Sequence, residues 1–457
     1  MTLISRLEKL HRYFHRGETR SITFRKEQLG KLKASIIRHE QELYKALHTD
    51  LKKSPEESWV TETGLVLAEI NNALKNLAKW MKPEKVSTNL VNLPSVSKIH
   101  REPLGVVLII GPWNYPFQLL INPLVGAIAA GNCAVLKPSE FASATNAVMK
   151  KIIEETFAHD YILYVQGEGQ HVIPDMMNNF TFDHVFYTGS TDVGKIIYKM
   201  SAEKLVHVTL ELGGKSPCVV ESDANIKVAA RRITMTKFSN AGQMCVAPDY
   251  LLVHASVKDS LLDAFKETIP KFFGDKPEES YNYGKIINLK QFNRISGYLS
   301  GSTIVQGGRT DRDKLFIEPT IITDVSLDSP VMREEIFGPV LPVLSFHTME
   351  EARQIIQRNP NPLSFYIYTA SHQKEKDWLE AVPAGGACVN NSSWHLTNHN
   401  LPFGGRGFSG KGSYHGKYSF ETFSHRKAVM KTPVWFDPNI KYPPFKGKMS
   451  LFKLAVR

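Results

Sequence analysis

The chain has 457 residues, 42% hydrophobic and 22% charged, with 30 glycines and 25 prolines. That balance excludes disordered, collagen-like and low-complexity classes, and the length provides about three domain-sized units with room for large cores. The net charge of +11 is spread along the chain without interleaved aromatics, so no nucleic-acid partner is expected.

No stretch reaches the roughly 18 to 20 uncharged apolar residues that span a bilayer. The first ten residues carry charges where an export signal needs an apolar core, so export is not expected. The four cysteines, Cys133, Cys218, Cys245 and Cys388, include no Cys-x-x-Cys pair and read as reduced thiols in a cytoplasm.

Residues 1–80 show helical apolar periodicity that stops at Pro83, and residues 86–100 alternate like a two-stranded ribbon. The rhythm then changes. Residues 105–111 and 133–137 read as buried strands around a buried helix at 117–130, which makes a βαβ unit. A helix at 145–157, strands at 161–165 and 183–187 and a helix at 191–202 continue the pattern. A second alternating series follows from Val219 to Thr369, with a helix at 226–239, a strand at 250–254 and a helix at 256–273. Past Asn390 the chain is rich in Gly, His and Ser, then strand-like over 420–430. Strands alternating with helices predict parallel sheets covered on both faces.

Several residues stand out chemically. Gly189-Ser190-Thr191-Asp192-Val193-Gly194 opens a helix after a strand, where free N–H groups attract phosphate, although a plain turn and helix cap also account for it. Lys137 and Glu140 end an earlier strand at the edge where such sheets place ligands, and Glu140 has the oxygens to accept both hydroxyls of a ribose. Lys137 alone is equally a surface lysine. Cys245 lies between a helix and a strand beside small residues, a context for an accessible thiol, whereas most cysteines are small core hydrophobes. Glu211 is a carboxylate inside an apolar strand run, costly unless its proton or partner is used. Asn114 follows a buried strand, placed to donate to an oxyanion or to cap the next helix. Glu335 and Phe337 form an acidic and aromatic turn. No Cys-x-x-Cys pair offers a zinc site, so no metal is expected.

Pro112-Trp113-Asn114, Lys137-Pro138-Ser139-Glu140, Gly189-Ser190-Thr191, Leu210-Glu211-Leu212-Gly213-Gly214-Lys215, Gly242-Gln243-Met244-Cys245 and Glu335-Ile336-Phe337-Gly338-Pro339, in this order and spacing, resemble the aldehyde dehydrogenase superfamily over nearly the whole chain. The Gly-rich run from Leu401 to Gly416 and the segment after it resemble the class 3 and fatty aldehyde branch. The resemblance implies an α/β fold: a Rossmann-like NAD(P)-binding domain (1–82 and 102–210), a catalytic α/β domain (211–389), a bridging and oligomerisation element (83–101 and 390–430) and a tail (431–457). It implies NAD-dependent oxidation of an aldehyde to an acid, with NADP as a second candidate, and a homodimer.

By motif position Cys245 matches the nucleophile, Glu211 the general base and Asn114 the oxyanion donor. Lys137 and Glu140 match the adenosine ribose ligands. Gly189, Ser190, Thr191, Asp192, Val193 and Gly194, with Trp113, Leu212, Glu335 and Phe337, complete the cofactor site, while Tyr115 and Met244 belong to the substrate pocket. Met244 departs from the Thr, Val or Ile usual in relatives. Acyl transfer to coenzyme A, or a non-catalytic role, are the competing implications, and the presence of Glu211 favours hydrolysis. The basic, apolar run at 445–457, ending in Val456 and Arg457, reads either as a solvated, frayed terminus or, by the resemblance, as a segment that rims the substrate funnel and contacts anionic membrane.

Overall fold

The computed structural model describes residues 2–455. The N-terminal region is helical as the periodicity predicts, and the helices Leu3–His15, Ile22–Arg38, Glu40–Leu51 and Gly64–Met81 each bury one stripe. The last of these ends where Lys82 turns extended, because the residue before a proline is forced out of the helical region. An antiparallel ribbon follows, β1 (Glu84–Val86) on β2 (Val96–Pro103).

The first large sheet contains β3 (Val106–Ile110), β4 (Cys133–Lys137), β5 (Ile162–Tyr164), β6 (His184–Thr188) and β7 (His207–Glu211), parallel and in the order β7-β6-β3-β4-β5. Nearly every residue of these strands is buried, because helices cover both faces. The helix Gln118–Ala130 is buried all round. Gly169–Asn179 is a helix that the sequence reading does not contain; Gly169 at its start and Pro174 inside it obscure the periodicity. The chain leaves β3 toward β4 on one side and returns to β6 on the other, so the crevice above β3 and β6 is the topological switch point where open sheets bind ligands.

The second large sheet contains β8 (Pro217–Val220), β9 (Tyr250–His254), β10 (Thr303–Gln306), β13 (Thr320–Thr323), β14 (Val340–Phe346), β15 (Ser364–Tyr368) and β16 (Gly386–Val389); β11 (Thr310–Asp311) and β12 (Phe316–Ile317) form a side hairpin. Its order is β10-β13-β14-β9-β8-β15-β16, parallel except for β10. Each large sheet carries its own apolar cluster.

The span 390–430 is divided between two places. β17 (Gly410–Lys411) adds an antiparallel edge to the first sheet beside β7, and β18 (Ser424–Lys431) pairs with β2 over eight residues. The strand expected over 420–430 begins later than that, because residues 417–422 are a helix. Its Phe420 packs on Trp80 and the following Phe423 on Phe186, so the apolar spacing there serves a helical turn docked on the first core. Gly126 permits this docking, since a Cβ there would stand 2.6 Å from that of Ser419.

Beyond β18 the chain runs outward, with Val434 97% and Trp435 78% exposed, to a short helix Met449–Ala455. Val456 and Arg457 lie outside the described residues. Among the described residues no helix is long and apolar enough to cross a membrane.

Candidate active site

Three loops meet between the two large sheets. The cysteine loop begins where the helix Ile226–Phe238 stops and Asn240, Ala241 and Gly242 take left-handed backbone angles in succession (φ 51°, 50° and 74°). Two non-glycine residues in this region store strain, which persists only where the surroundings impose it. They do so here: the Asn240 N–H donates to Glu57 (2.9 Å) and its amide donates to the Asn114 carbonyl (2.9 Å). A Cβ on Gly242 would fall 2.3 Å from the Gly338 carbonyl oxygen. Gln243 then staples the loop, donating to the Asn240 and Lys285 carbonyls (2.9 and 3.0 Å) and accepting from the Ile287 N–H (3.0 Å). The outcome is a fixed Cys245 opening onto a cavity.

The second loop follows β3 and carries Trp113, Asn114 and Tyr115. Asn114 does not cap the next helix; its amide donates to the Gln243 carbonyl (3.1 Å), which leaves its second amide hydrogen free. The loop rests on a fully buried ion pair, Lys53 to Glu62 at 2.7 Å. Lys53 also donates to the Asn114 carbonyl (3.1 Å) and stands 3.9 Å over the Tyr115 ring. The other Glu62 oxygen accepts the N–H groups of Phe117 and Gln118, and so caps the helix that the loop enters. Removing one partner of such a pair typically costs about 3–5 kcal/mol, since the other is left buried and uncompensated.

Glu211 ends β7 at 3% exposure, and both its carboxyl oxygens are buried with no hydrogen-bond partner. Burial raises its pKa well above the ordinary carboxylate range. Burial likewise pushes the Cys245 thiol up to about 12, with the carboxylates of Glu335 and Glu211 adding to the push.

The third loop brings Glu335 and Phe337. Glu335 lies against Gly213, where a Cβ would come within 1.9 Å of its carboxylate. Burial first, and Asp249 second, raise its carboxyl to about 8. Arg294 donates to the Glu335 and Ile336 carbonyls, and Lys215 bridges Asp249 and the carbonyls of Val331 and Glu334. Phe337 meets Trp113 edge to face at 5.3 Å.

At the carboxyl end of β4, next to the switch-point strand β3, Lys137 is buried and gives its ammonium to the Pro138 carbonyl (2.6 Å) and Glu140 (3.5 Å), which leaves one donor spare. Burial lowers the Lys137 pKa. Burial also works against ionisation of Glu140, but the N–H groups of Glu140 and Gly169 and the Lys137 charge outweigh it and hold that carboxyl below its usual value. Ser190 caps the helix Thr191–Ala202, with Asp192 and Val193 in its first turn. Gly194 lets this helix close on Leu212, whose Cδ2 would lie 2.5 Å from an added Cβ.

Cys245 opens into a cavity of about 300 Å³ lined mainly by apolar groups, among them Tyr115, Leu119, Met235, Met244, Trp394, Leu396, Phe403 and Tyr414. Among the described residues none of the tail lines it, which corrects the expectation that 445–457 form its rim: β18 carries the chain away along the ribbon. Val60, Met235 and Trp394, each about half exposed, stand at that rim.

The structure also places residues that sequence reasoning missed. Lys53, Glu57, Glu62 and Asn240 support the two loops. Lys237 is fully buried with its ammonium unpartnered, and burial lowers its pKa to about 8, with Asp249, Lys215 and Glu335 nearby in charge. Its signal was present in the sequence: it falls at helical spacing on the stripe of Ala230, Ile233 and Thr234, all of them buried.

The aldehyde dehydrogenase family model matches residues 7–429. The chain is 46% identical over 446 residues to the 4,4'-diaponeurosporen-aldehyde dehydrogenase of Staphylococcus aureus, covering 96% of each chain. It is 42% identical to the dimeric NADP-preferring aldehyde dehydrogenase of Canis lupus familiaris, again over 96% of each. Among solved structures, the substrate-bound state of Staphylococcus aureus AldH superposes with a TM-score of 0.97 at 44% identity over the whole of both chains. An indole-3-acetaldehyde dehydrogenase complexed with NAD+ gives 0.85 at 28% identity, covering 94% of this chain and 88% of that one.

Iodoacetamide should label Cys245 ahead of the other thiols, because Cys133 and Cys218 are fully buried and Cys388 lies outside the cavity lining, beside His395. A raised thiol pKa means little thiolate at neutral pH, so the rate should keep climbing as pH rises above 9. Glu335→Gln removes a carboxyl that, once ionised above about pH 8, holds the thiol up, and it should speed labelling in that range. Peptide mapping checks the ranking; first labelling at Cys133 or Cys218, or a rate already flat at pH 7, contradicts it.

Proposed function

Because the chain belongs to the aldehyde dehydrogenase family and is an oxidoreductase acting on aldehydes, we propose that it oxidises medium- to long-chain aliphatic or aromatic aldehydes to acids through a thioester on Cys245. The observation that supports this reading is the pairing of a thiol opening onto an apolar cavity with Glu211, a buried carboxyl whose oxygens have no partner.

Cys245 Sγ attacks the carbonyl carbon, and its proton leaves toward Glu211. The oxyanion accepts hydrogen bonds from the free Asn114 amide hydrogen and the Cys245 N–H; losing one such donor typically costs about 2.7–4 kcal/mol of barrier. A bound nicotinamide cofactor supplies the hydride acceptor that turns the thiohemiacetal into a thioester. Glu211, having released the thiol's proton to solvent, then takes a proton from water, the water oxygen attacks the thioester carbon, and the C–S bond breaks to release the acid while Glu211 returns its proton to the thiol. The raised Glu211 pKa places its proton transfers nearer neutral pH than an ordinary carboxyl would.

The residues present fit a dinucleotide. Lys137 has a spare donor and Glu140 is an ionised acceptor for the adenosine ribose. The N–H groups of the helix that begins at Thr191, behind Gly189 and Ser190, suit the diphosphate. Glu335 would take the nicotinamide ribose, and Phe337, Trp113 and Leu212 would flank the ring. The ionised Glu140 repels a 2′-phosphate, which favours NAD over NADP.

The exposed apolar residues of the ribbon and its continuation, Val86, Val91, Val96, Met430 and Trp435, suit a homodimer contact. Four free cysteines suit a reducing cytoplasm. The tail mixes exposed Phe445, Met449, Leu451 and Leu454 with Lys446, Lys448 and Lys453, a surface for peripheral contact with anionic membrane. Deleting 445–457 should abolish co-sedimentation with anionic vesicles; retained sedimentation contradicts that contact.

Glu211→Gln keeps the shape and removes the base, so a burst of NADH, smaller because Glu211 also takes the thiol proton, without steady turnover is expected; normal steady-state turnover would sink the assignment. Catalytic efficiency should be higher with NAD than with NADP, and Glu140→Gln should narrow the gap. A wild-type preference for NADP would refute the role of Glu140.

A further inference from the structure

The helix Ile226–Phe238 serves two cavities. Met235 lines the cavity that holds Cys245, together with Thr236 and the following Ser239, and the same Met235, with Trp394, lines a neighbouring groove of about 500 Å³. One helical turn back, Arg231 and Arg232 line that groove with Val228, Phe272 and Asn391, and no acidic residue lines it. The two openings share the half-exposed lip of Met235 and Trp394. At about 1.5 Å per residue, Arg231 stands roughly 12 Å along the chain axis from Ser239, so the path runs from a thiol, through an apolar passage, to a pair of guanidinium groups.

Arg232 is held in place there. One of its terminal nitrogens donates to the Asn390 carbonyl, and Asn390 is itself fixed by paired hydrogen bonds to Thr369 (3.0 and 2.8 Å). A guanidinium has five N–H donors, and the rest of this one is available, next to Arg231. Two adjacent arginines match a carboxylate, which planar guanidinium groups take in a bidentate manner. A neighbouring groove, which shares Met235 and Phe272 with this one, has the reverse character. It also shares Val60, Thr61, Met235 and Ser239 with the thiol cavity, and it carries Glu56 and Glu57 beside a single Lys271. The two adjoining grooves at the mouth therefore differ in charge, one lined by Arg231 and Arg232 and the other by Glu56, Glu57 and Lys271.

We propose that the Arg231/Arg232 groove is a subsite for an anionic group at the far end of an apolar aldehyde, so that substrates of the ω-oxo carboxylate class bind with the aldehyde at Cys245 and the carboxylate on the arginines. This inference rests on the aldehyde-oxidation reading and adds to it the polarity of the substrate's distal end.

The test uses the full chain, without lipid, and four aldehydes at each of several chain lengths: the ω-oxo carboxylate, its methyl ester, the unsubstituted alkanal and the ω-amino aldehyde. At lengths that reach the groove, KM for the oxo acid should be roughly three- to tenfold below that of its ester with similar kcat, the range expected of a partly exposed charged contact. The gap should shrink with added salt, vanish for short chains and largely close in Arg231→Gln. In that exposed-residue variant the alkanal, which offers the arginines nothing, reports whether the rest of the site is intact. Equal KM for acid and ester, or a preference for the amine, overturns the proposal, the latter by placing the chain in the glutamate groove. A gap that appears only when anionic vesicles are added also overturns it, in favour of a membrane surface. Failure to oxidise even the alkanal would instead strike the reading beneath.

Discussion

The site depends on holding ionisable groups out of water without partners. Glu211 has neither of its carboxyl oxygens satisfied, Lys237 keeps an ammonium with no acceptor, and the Cys245 thiol is pushed far from its thiolate form. Each would relax if water reached it or if the loops moved apart. Unpaired groups of this kind are tolerated where a reaction uses them, and the proposed chemistry uses two of the three: the thiol as nucleophile and the carboxyl as a base whose pKa is lifted toward the working pH.

Keeping them unpaired requires a rigid surround, and the surround is polar rather than apolar. The Lys53–Glu62 pair supports the Asn114 loop from below, and Asn240 ties that loop to the strained turn that delivers Cys245. Lys215 with Asp249, and Arg294, fix the turn that carries Glu335. Buried ion pairs are weak contributors to net stability but define one geometry sharply. In this molecule each ion pair holds loops of its own sheet, and the Asn240 bonds to Glu57 and Asn114 join the two sides, so the spacing between thiol, amide and carboxylates does not rest on apolar packing alone, which tolerates small shifts.

Much of this was legible in the sequence. The helix at 191–202 and the strand at 250–254 fall where periodicity puts them, because strands buried on both faces write continuous apolar runs that single positions cannot blur. Glu211 was visible for the opposite reason, as a carboxylate at odds with its apolar run, and Cys245 through its open context and the motif around it. The supporting network was not visible, because Lys53, Glu57 and Glu62 lie in a segment that reads as helical, where charges usually mark a solvated face. Their partners come from 55 to 183 positions away: Glu62 bonds Phe117 and Gln118, Lys53 bonds Asn114, and Glu57 bonds Asn240. The short helix at 417–422 was misread because Phe420 and Phe423 answer to aromatic neighbours in the first core, not to a strand's alternation.

The covalent step is the central claim, and intact-mass spectrometry tests it most directly. Glu211→Gln mixed with an aldehyde and NAD should gain the mass of one acyl group, located on the peptide that contains Cys245, and hydroxylamine should remove it. Wild-type protein should show it only fleetingly, and Cys245→Ala not at all. No adduct in Glu211→Gln while NADH is formed, or an adduct on another residue, would contradict the account.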